Sequence, residues 1–124
     1  MRRQPARAAG VGLLTAGLCG CASASVATWS LTEAPEPSDT TLSLLVSETA
    51  CASGQSPEGR IEEPEVDYQR EAVVITVRVR AAGMSGHCEG HPGAPYVLEL
   101  AEPLGTRALL DGGREPAVAV SPPP

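Results

Sequence analysis

The strongest structural signal in the chain is the stretch AVVITVRVR, residues 72–80. Apolar β-branched residues occupy every second position, and two arginines end the opposite face. Such alternation is typical of a β-strand that is buried on one face only. The same period recurs in TLSLLVSE and PYVLELAE. Shorter strands are predicted from EVDY, from RALLD, which ends at the turn signal Asp-Gly-Gly, and from AVAV.

No stretch of the chain shows a sustained helical period of apolar residues, and 12 prolines and 13 glycines disfavour long helices. Short strands separated by turn residues predict an all-β fold, a small antiparallel β-sandwich with an immunoglobulin-like layout. We place this domain at residues 41–120 and a short tail at 121–124. Residues 21–40, which include TEAPEPSDT, are predicted to be a flexible acidic tether, with Trp29 outside the domain.

The N-terminal residues carry the signature of an export signal. Arg2, Arg3 and Arg7 precede the short apolar run VGLLTAGL, which is too short to span a bilayer as a stable helix. The following LCGC resembles the lipobox of bacterial lipoproteins, and residues 1–20 would then be the signal peptide. The resemblance implies that Cys21 is acylated after cleavage before it. The alternative is an ordinary signal cleaved at the small residues Ala-Ser-Ala that follow.

The charge of the mature chain excludes some partners. The chain has nine arginines and no lysine, and three of the arginines precede Cys21. The mature chain then contains six arginines and fifteen acidic residues, which gives it a net charge of −9. A surface of this sign repels phosphate backbones, so nucleic acid is not expected as a partner. Membrane attachment is expected to come from the N-terminal lipid.

The cysteines suggest a covalent crosslink. Cys19 leaves with the signal and Cys21 would carry the lipid, so Cys51 and Cys88 form a single pair. An oxidising compartment favours a disulfide between them. Closing this loop contributes about 4 kcal/mol, which is comparable to the ~5 kcal/mol net stability of a small domain. We therefore predict a Cys51–Cys88 disulfide that ties two loop or strand ends at one end of the sandwich.

The stretch GHCEGHPG contains both histidines of the chain. On an extended strand, His87, Glu89 and His91 project to one side and could bind a metal with open coordination positions. Another ligand set combines Cys88 and His91 with Cys51. The glycines and the proline of this stretch favour a loop. Outside the cytoplasm, cysteines form a disulfide in preference to binding a metal as thiolates. The favoured interpretation is a disulfide with exposed histidine neighbours and no cofactor.

The stretch CASGQSPEGR resembles a catalytic motif only superficially. GQSPEG nearly matches the G-x-S-x-G nucleophile elbow, but it has one residue too many and Pro57 follows the serine. That elbow also needs a larger α/β fold, so we predict no catalysis. Ser53 and Gly54 suit a turn, and together with Arg60 they form a candidate recognition loop on a rigid β-domain. A plain connecting loop is the simpler interpretation.

Taken together, ACASG…EGRI, VVITVRV and VLELAEPLGTRALLDGG resemble small exported lipoprotein-type proteins of high-GC, actinobacterial-type bacteria. The resemblance covers about residues 45–113 and implies one β-rich domain outside the cytoplasmic membrane. It implies no enzymatic or binding activity. We therefore expect a non-catalytic binding or structural module on the outer side of that membrane. Its expected partners are the membrane and another envelope protein. The alternative is an exported metal-binding protein that uses His87, Glu89 and His91.

Overall fold

The computed structural model describes residues 23–83 and 87–124. These residues form β-strands, turns and loops, and no helix is present among them, as predicted. The predicted signal peptide and Cys21 lie outside the described residues. The strands are β1 (Ala24–Leu31), β2 (Thr41–Ser47), β3 (Glu65–Tyr68), β4 (Ala72–Arg80), β5 (Ala94–Glu99), β6 (Ala108–Asp111) and β7 (Val118–Ala119).

The strands form one hydrogen-bonded sheet in the order β5-β2-β1-β4-β6-β7, and β3 also pairs with β4. Strands β4 and β6 run parallel, whereas the other paired strands are antiparallel. The sheet is therefore mixed, and the prediction of a purely antiparallel arrangement was wrong. A parallel pair requires a long crossover, which the chain provides between β4 and β6 through β5.

Strand β1 is shared between two sets of neighbours. Its first half, Ala24–Ala27, pairs with the end of β4, and its second half, Thr28–Leu31, pairs with β2. One wing of the sheet thus contains β2 and β5, and the other contains β3, β4, β6 and β7. Apolar residues of both wings belong to a single buried cluster. The immunoglobulin-like layout of two separate layers stays a prediction.

The position of β1 corrects the predicted tether at residues 21–40. Trp29 is only 5% exposed, and its Nε1 donates a hydrogen bond to the carbonyl oxygen of Ile75 at 3.0 Å. The segment after β1 is also attached, because the amide of Leu104 donates to the carbonyl of Asp39 at 2.9 Å. The prediction failed because Trp29 and Leu31 alternate with small polar residues, which resemble linker composition.

The alternation that predicted the other strands is visible in their burial. Leu42, Leu44 and Val46 of β2 are buried, and so are the apolar residues at every second position of β4. In β5, Ala94 and Leu98 are buried while Val97 points to solvent. The strands predicted from EVDY, RALLD and AVAV correspond to β3, β6 and the short β7.

We expect Trp29→Ala to destabilise the domain by about 3–5 kcal/mol, because it empties a buried site that β1 shares with β4. Urea denaturation followed by circular dichroism measures the change. The matched control is Val97→Ala, at a residue that is 66% exposed, which should stay within about 0.5 kcal/mol of the wild type. Equal stability of the two variants would mean that β1 is a tether after all.

Candidate functional site

The predicted Cys51–Cys88 disulfide is present and lies at one end of the sheet. Cys51 follows the end of β2, and Cys88 lies in the loop that precedes β5. Val46 of β2 pairs with Ala94 of β5 next to these loops. The two Cα atoms are 4.3 Å apart, and the residues are 37 positions apart in sequence. We call this region, with residues 48–60, 81–83 and 87–93, the disulfide end.

Backbone hydrogen bonds reinforce the crosslink. The amide of Ser53 donates to the carbonyl of His87 at 2.9 Å, and the amide of His87 donates to Oγ of Ser53 at 3.3 Å. Ser53 and Gly54 both have positive φ, 52° and 73°, as the central residues of a tight turn. The amide of Gln55 closes that turn by donating to the carbonyl of Ala52 at 3.0 Å. The candidate recognition loop is therefore fixed in shape.

Arg60 of the candidate recognition loop makes internal contacts. Its guanidinium binds Glu48 through two bonds, Nη1 to Oε1 at 2.8 Å and Nη2 to Oε2 at 2.6 Å. It also donates to the carbonyls of Arg80 at 2.7 Å and Ser56 at 3.1 Å. The side chains of Arg60 and Glu48 are only 16% and 7% exposed. Arg60 therefore fastens the loop to the ends of β2 and β4.

The electrostatic surroundings fit this role. The hydrogen bond to Glu48 raises the pKa of the Arg60 guanidinium; burial opposes this effect, and the negative charge of Glu48 adds to it. Arginine is already protonated throughout the physiological range, so Arg60 keeps its charge in the folded domain. A planar guanidinium that makes two bonds to one carboxylate is a geometry that lysine cannot reproduce.

The structure does not bring His87, Glu89 and His91 together as a metal site. Nδ1 of His91 accepts a hydrogen bond from the amide of Gly93 at 3.1 Å. Glu89 lies beside the turn, where a Cβ on Gly54 would be 3.3 Å from its Oε2. Within residues 23–83 and 87–124, no three His, Cys, Asp or Glu side chains are grouped so that they could hold a metal ion.

The disulfide end is also where the chain enters the domain, a feature that sequence reasoning missed. The carbonyl of Ser23 accepts a hydrogen bond from the amide of Ala81 at 3.0 Å, and Ala24 pairs with Arg80. An open depression of about 280 Å³ lies beside this entry point. Glu48 and Val79 line part of this depression. The rest of its lining consists of small residues, which are Ser25, Ala50, Cys51, Ala81, Ala82 and Gly83.

The distinctive stretch EPLGTR closes the opposite end of the domain. Nε of Arg107 donates to the carbonyl of Leu104 at 2.9 Å, and its Nη1 donates to Oε1 of Glu102 at 2.6 Å. The guanidinium also lies 5.7 Å from the ring centroid of Tyr68. Leu104 is buried in the core. These contacts explain the stretch as a loop that caps the core.

The stretch DGG that ends β6 also has a structural explanation. Buried Asp111 accepts a hydrogen bond from the amide of Gly113 through Oδ1 at 2.9 Å. A Cβ on Gly112 would collide with the side chain of Thr76, and one on Gly113 would lie 2.8 Å from the carbonyl oxygen of Ala27. The two glycines are needed because the turn passes close to β1 and β4.

Comparison with known proteins provides no relative that would assign a function. No family model matches the chain, and neither the curated proteins nor the solved structures contain a match. In the part of the chain that the structure describes, no helix is long and apolar enough to cross a bilayer.

We expect removal of the disulfide in a Cys51→Ala, Cys88→Ala double variant to lower the free energy of unfolding by about 4 kcal/mol, because the unfolded chain regains its loop entropy. Urea denaturation measures this loss. Reduction of the wild-type protein with dithiothreitol should cause a similar shift. A wild-type protein whose denaturation midpoint does not respond to reduction would contradict the expectation.

We expect Arg60→Met to destabilise the domain by about 3 kcal/mol, because it leaves the carboxylate of Glu48 buried without its partner. The matched control is Arg78→Met, since Arg78 pairs with Glu65 while the two side chains are 41% and 72% exposed. Breaking that pair should cost about 1 kcal/mol or less. The free energy of unfolding of each variant is measured by urea denaturation. Similar losses in both variants would show that the Arg60–Glu48 pair stabilises the domain no more than an exposed pair does.

Proposed function

We propose that this chain is an exported lipoprotein whose β-domain is a non-catalytic binding or structural module, held by Cys21 on the outer side of the cytoplasmic membrane. The observation that carries the proposal is the Cys51–Cys88 disulfide. Disulfides persist in oxidising compartments and are rare in reducing ones, so a domain stabilised in this way suits the cell envelope.

The start of β1 supports cleavage before Cys21 rather than after Ala24. Cleavage before Cys21 leaves the whole strand in the mature protein. Cleavage after Ala24 would remove Ser23 and Ala24, which contact Ala81 and Arg80 at the disulfide end. Together with the lipobox-like LCGC, this favours Cys21 as the first residue of the mature chain.

A binding or structural role agrees with how the charged side chains are used. Within residues 23–83 and 87–124, four arginine–carboxylate pairs stabilise loops and strand edges; they are Arg60–Glu48, Arg78–Glu65, Arg107–Glu102 and Arg114–Asp111. Ser56, the serine of the elbow-like stretch, accepts a hydrogen bond from the amide of Glu58 at 3.2 Å and shapes its own loop. The Cys51–Cys88 disulfide and the Arg60–Glu48 pair hold the described residues of the disulfide end together, and they support a contact surface there.

We expect Cys21→Ser in the full chain to abolish incorporation of labelled palmitate in a bacterial host that lipidates exported proteins. The reason is that acylation requires the thiol at this position. Cys19→Ser is the matched control, since Cys19 lies two residues earlier in the same stretch, and it should be labelled like the wild type. Labelled Cys21→Ser protein, or unlabelled wild type, would contradict the proposed anchor.

A further inference from the structure

The distance between the anchor and the folded domain is very short. Ser23 is already held by its hydrogen bond to Ala81, and β1 begins at the next residue. Only Ala22 lies between Cys21 and this attachment point. Because an extended residue spans at most about 3.6 Å, the Cα of Cys21 lies within about 7 Å of the Cα of Ser23.

This short connection determines which end of the domain faces the membrane. Strand β1 starts at the disulfide end, where β4 finishes and where Cys51 and Cys88 are joined. The nine residues of β4 span about 30 Å at roughly 3.3 Å per residue. The loops at the other end of the sheet, 32–40 and 100–107, are therefore separated from the anchor by most of the length of the domain.

We propose that the disulfide end rests on the phospholipid headgroups of the outer leaflet, and that the membrane surface is the partner of the Ser53–Gly54 loop. This inference rests on the proposed lipid anchor at Cys21. The small residues around the entry point, Ala50, Ala81 and Ala82 among them, allow the backbone to approach the headgroups closely. The charges of Arg60 and Glu48 neutralise each other there. Glu58 and Glu89 are exposed on the same loops, beside exposed Arg80, so the attraction to the membrane comes from the lipid and not from a basic patch.

The absence of lysine from the sequence allows a direct test of this orientation. Gln55→Lys places one amine in the exposed turn at the disulfide end, and Ser38→Lys places one in an exposed turn at the opposite end. Both full-length variants are purified with their lipid and reconstituted into phosphatidylglycerol–phosphatidylcholine vesicles, whose headgroups carry no primary amine. A polyethylene glycol reagent that reacts with amines should then label Gln55→Lys severalfold more slowly than Ser38→Lys.

A spacer provides the matched control. Insertion of about twelve glycine and serine residues between Ala22 and Ser23 creates a flexible connection and leaves the contact between Ser23 and Ala81 in place. In this background the two lysines should react at equal rates. Folding of each variant is checked by circular dichroism and by the presence of the Cys51–Cys88 peptide without reduction.

The outcomes separate the orientation from the anchor. Equal labelling of both lysines in lipidated, vesicle-bound protein without the spacer overturns the orientation and leaves the lipoprotein assignment standing. A protein that carries no lipid and does not sediment with the vesicles overturns both. Slow labelling of Gln55→Lys that persists after insertion of the spacer also overturns the orientation, because the protection would then come from the fold itself.

Discussion

The divided pairing of β1 is the contact on which the rest of the domain depends. Among the described strands, β1 is the only one that pairs both with the wing of β2 and β5 and with the wing built around β4. Trp29 adds a side-chain bond across the same junction by donating to the carbonyl of Ile75. Without β1, each wing would expose an apolar face and an unpaired strand edge to water.

The disulfide end compensates for a core that is poor in aromatic residues. The chain has no phenylalanine, and Trp29 is its single tryptophan. A covalent bond between Cys51 and Cys88 and a largely buried pair between Arg60 and Glu48 hold the same loops. Small domains bury a limited fraction of their surface, so local crosslinks of this kind contribute a large share of the net stability.

Local patterns in the sequence predicted the all-β class, strands β2 to β7 and the disulfide, because alternation and cysteine pairing are visible without the fold. They missed β1, whose buried Trp29 and Leu31 are separated by serine and preceded by other small residues. They also missed the parallel pairing of β4 with β6 and the partner of Arg60. These features depend on residues that are distant in sequence, so the local spacing of apolar residues does not indicate them.

The pairing of β1 has a consequence for the order of folding. The strand is synthesised before its partners, yet Ala24 pairs with Arg80 and Thr28 with Ser47. Its hydrogen bonds to β4 cannot form until residues 77–80 have been synthesised. Contacts of such long sequence separation slow folding, because loop closure must precede them. The segment nearest the start of the domain is therefore expected to stay unpaired through most of synthesis.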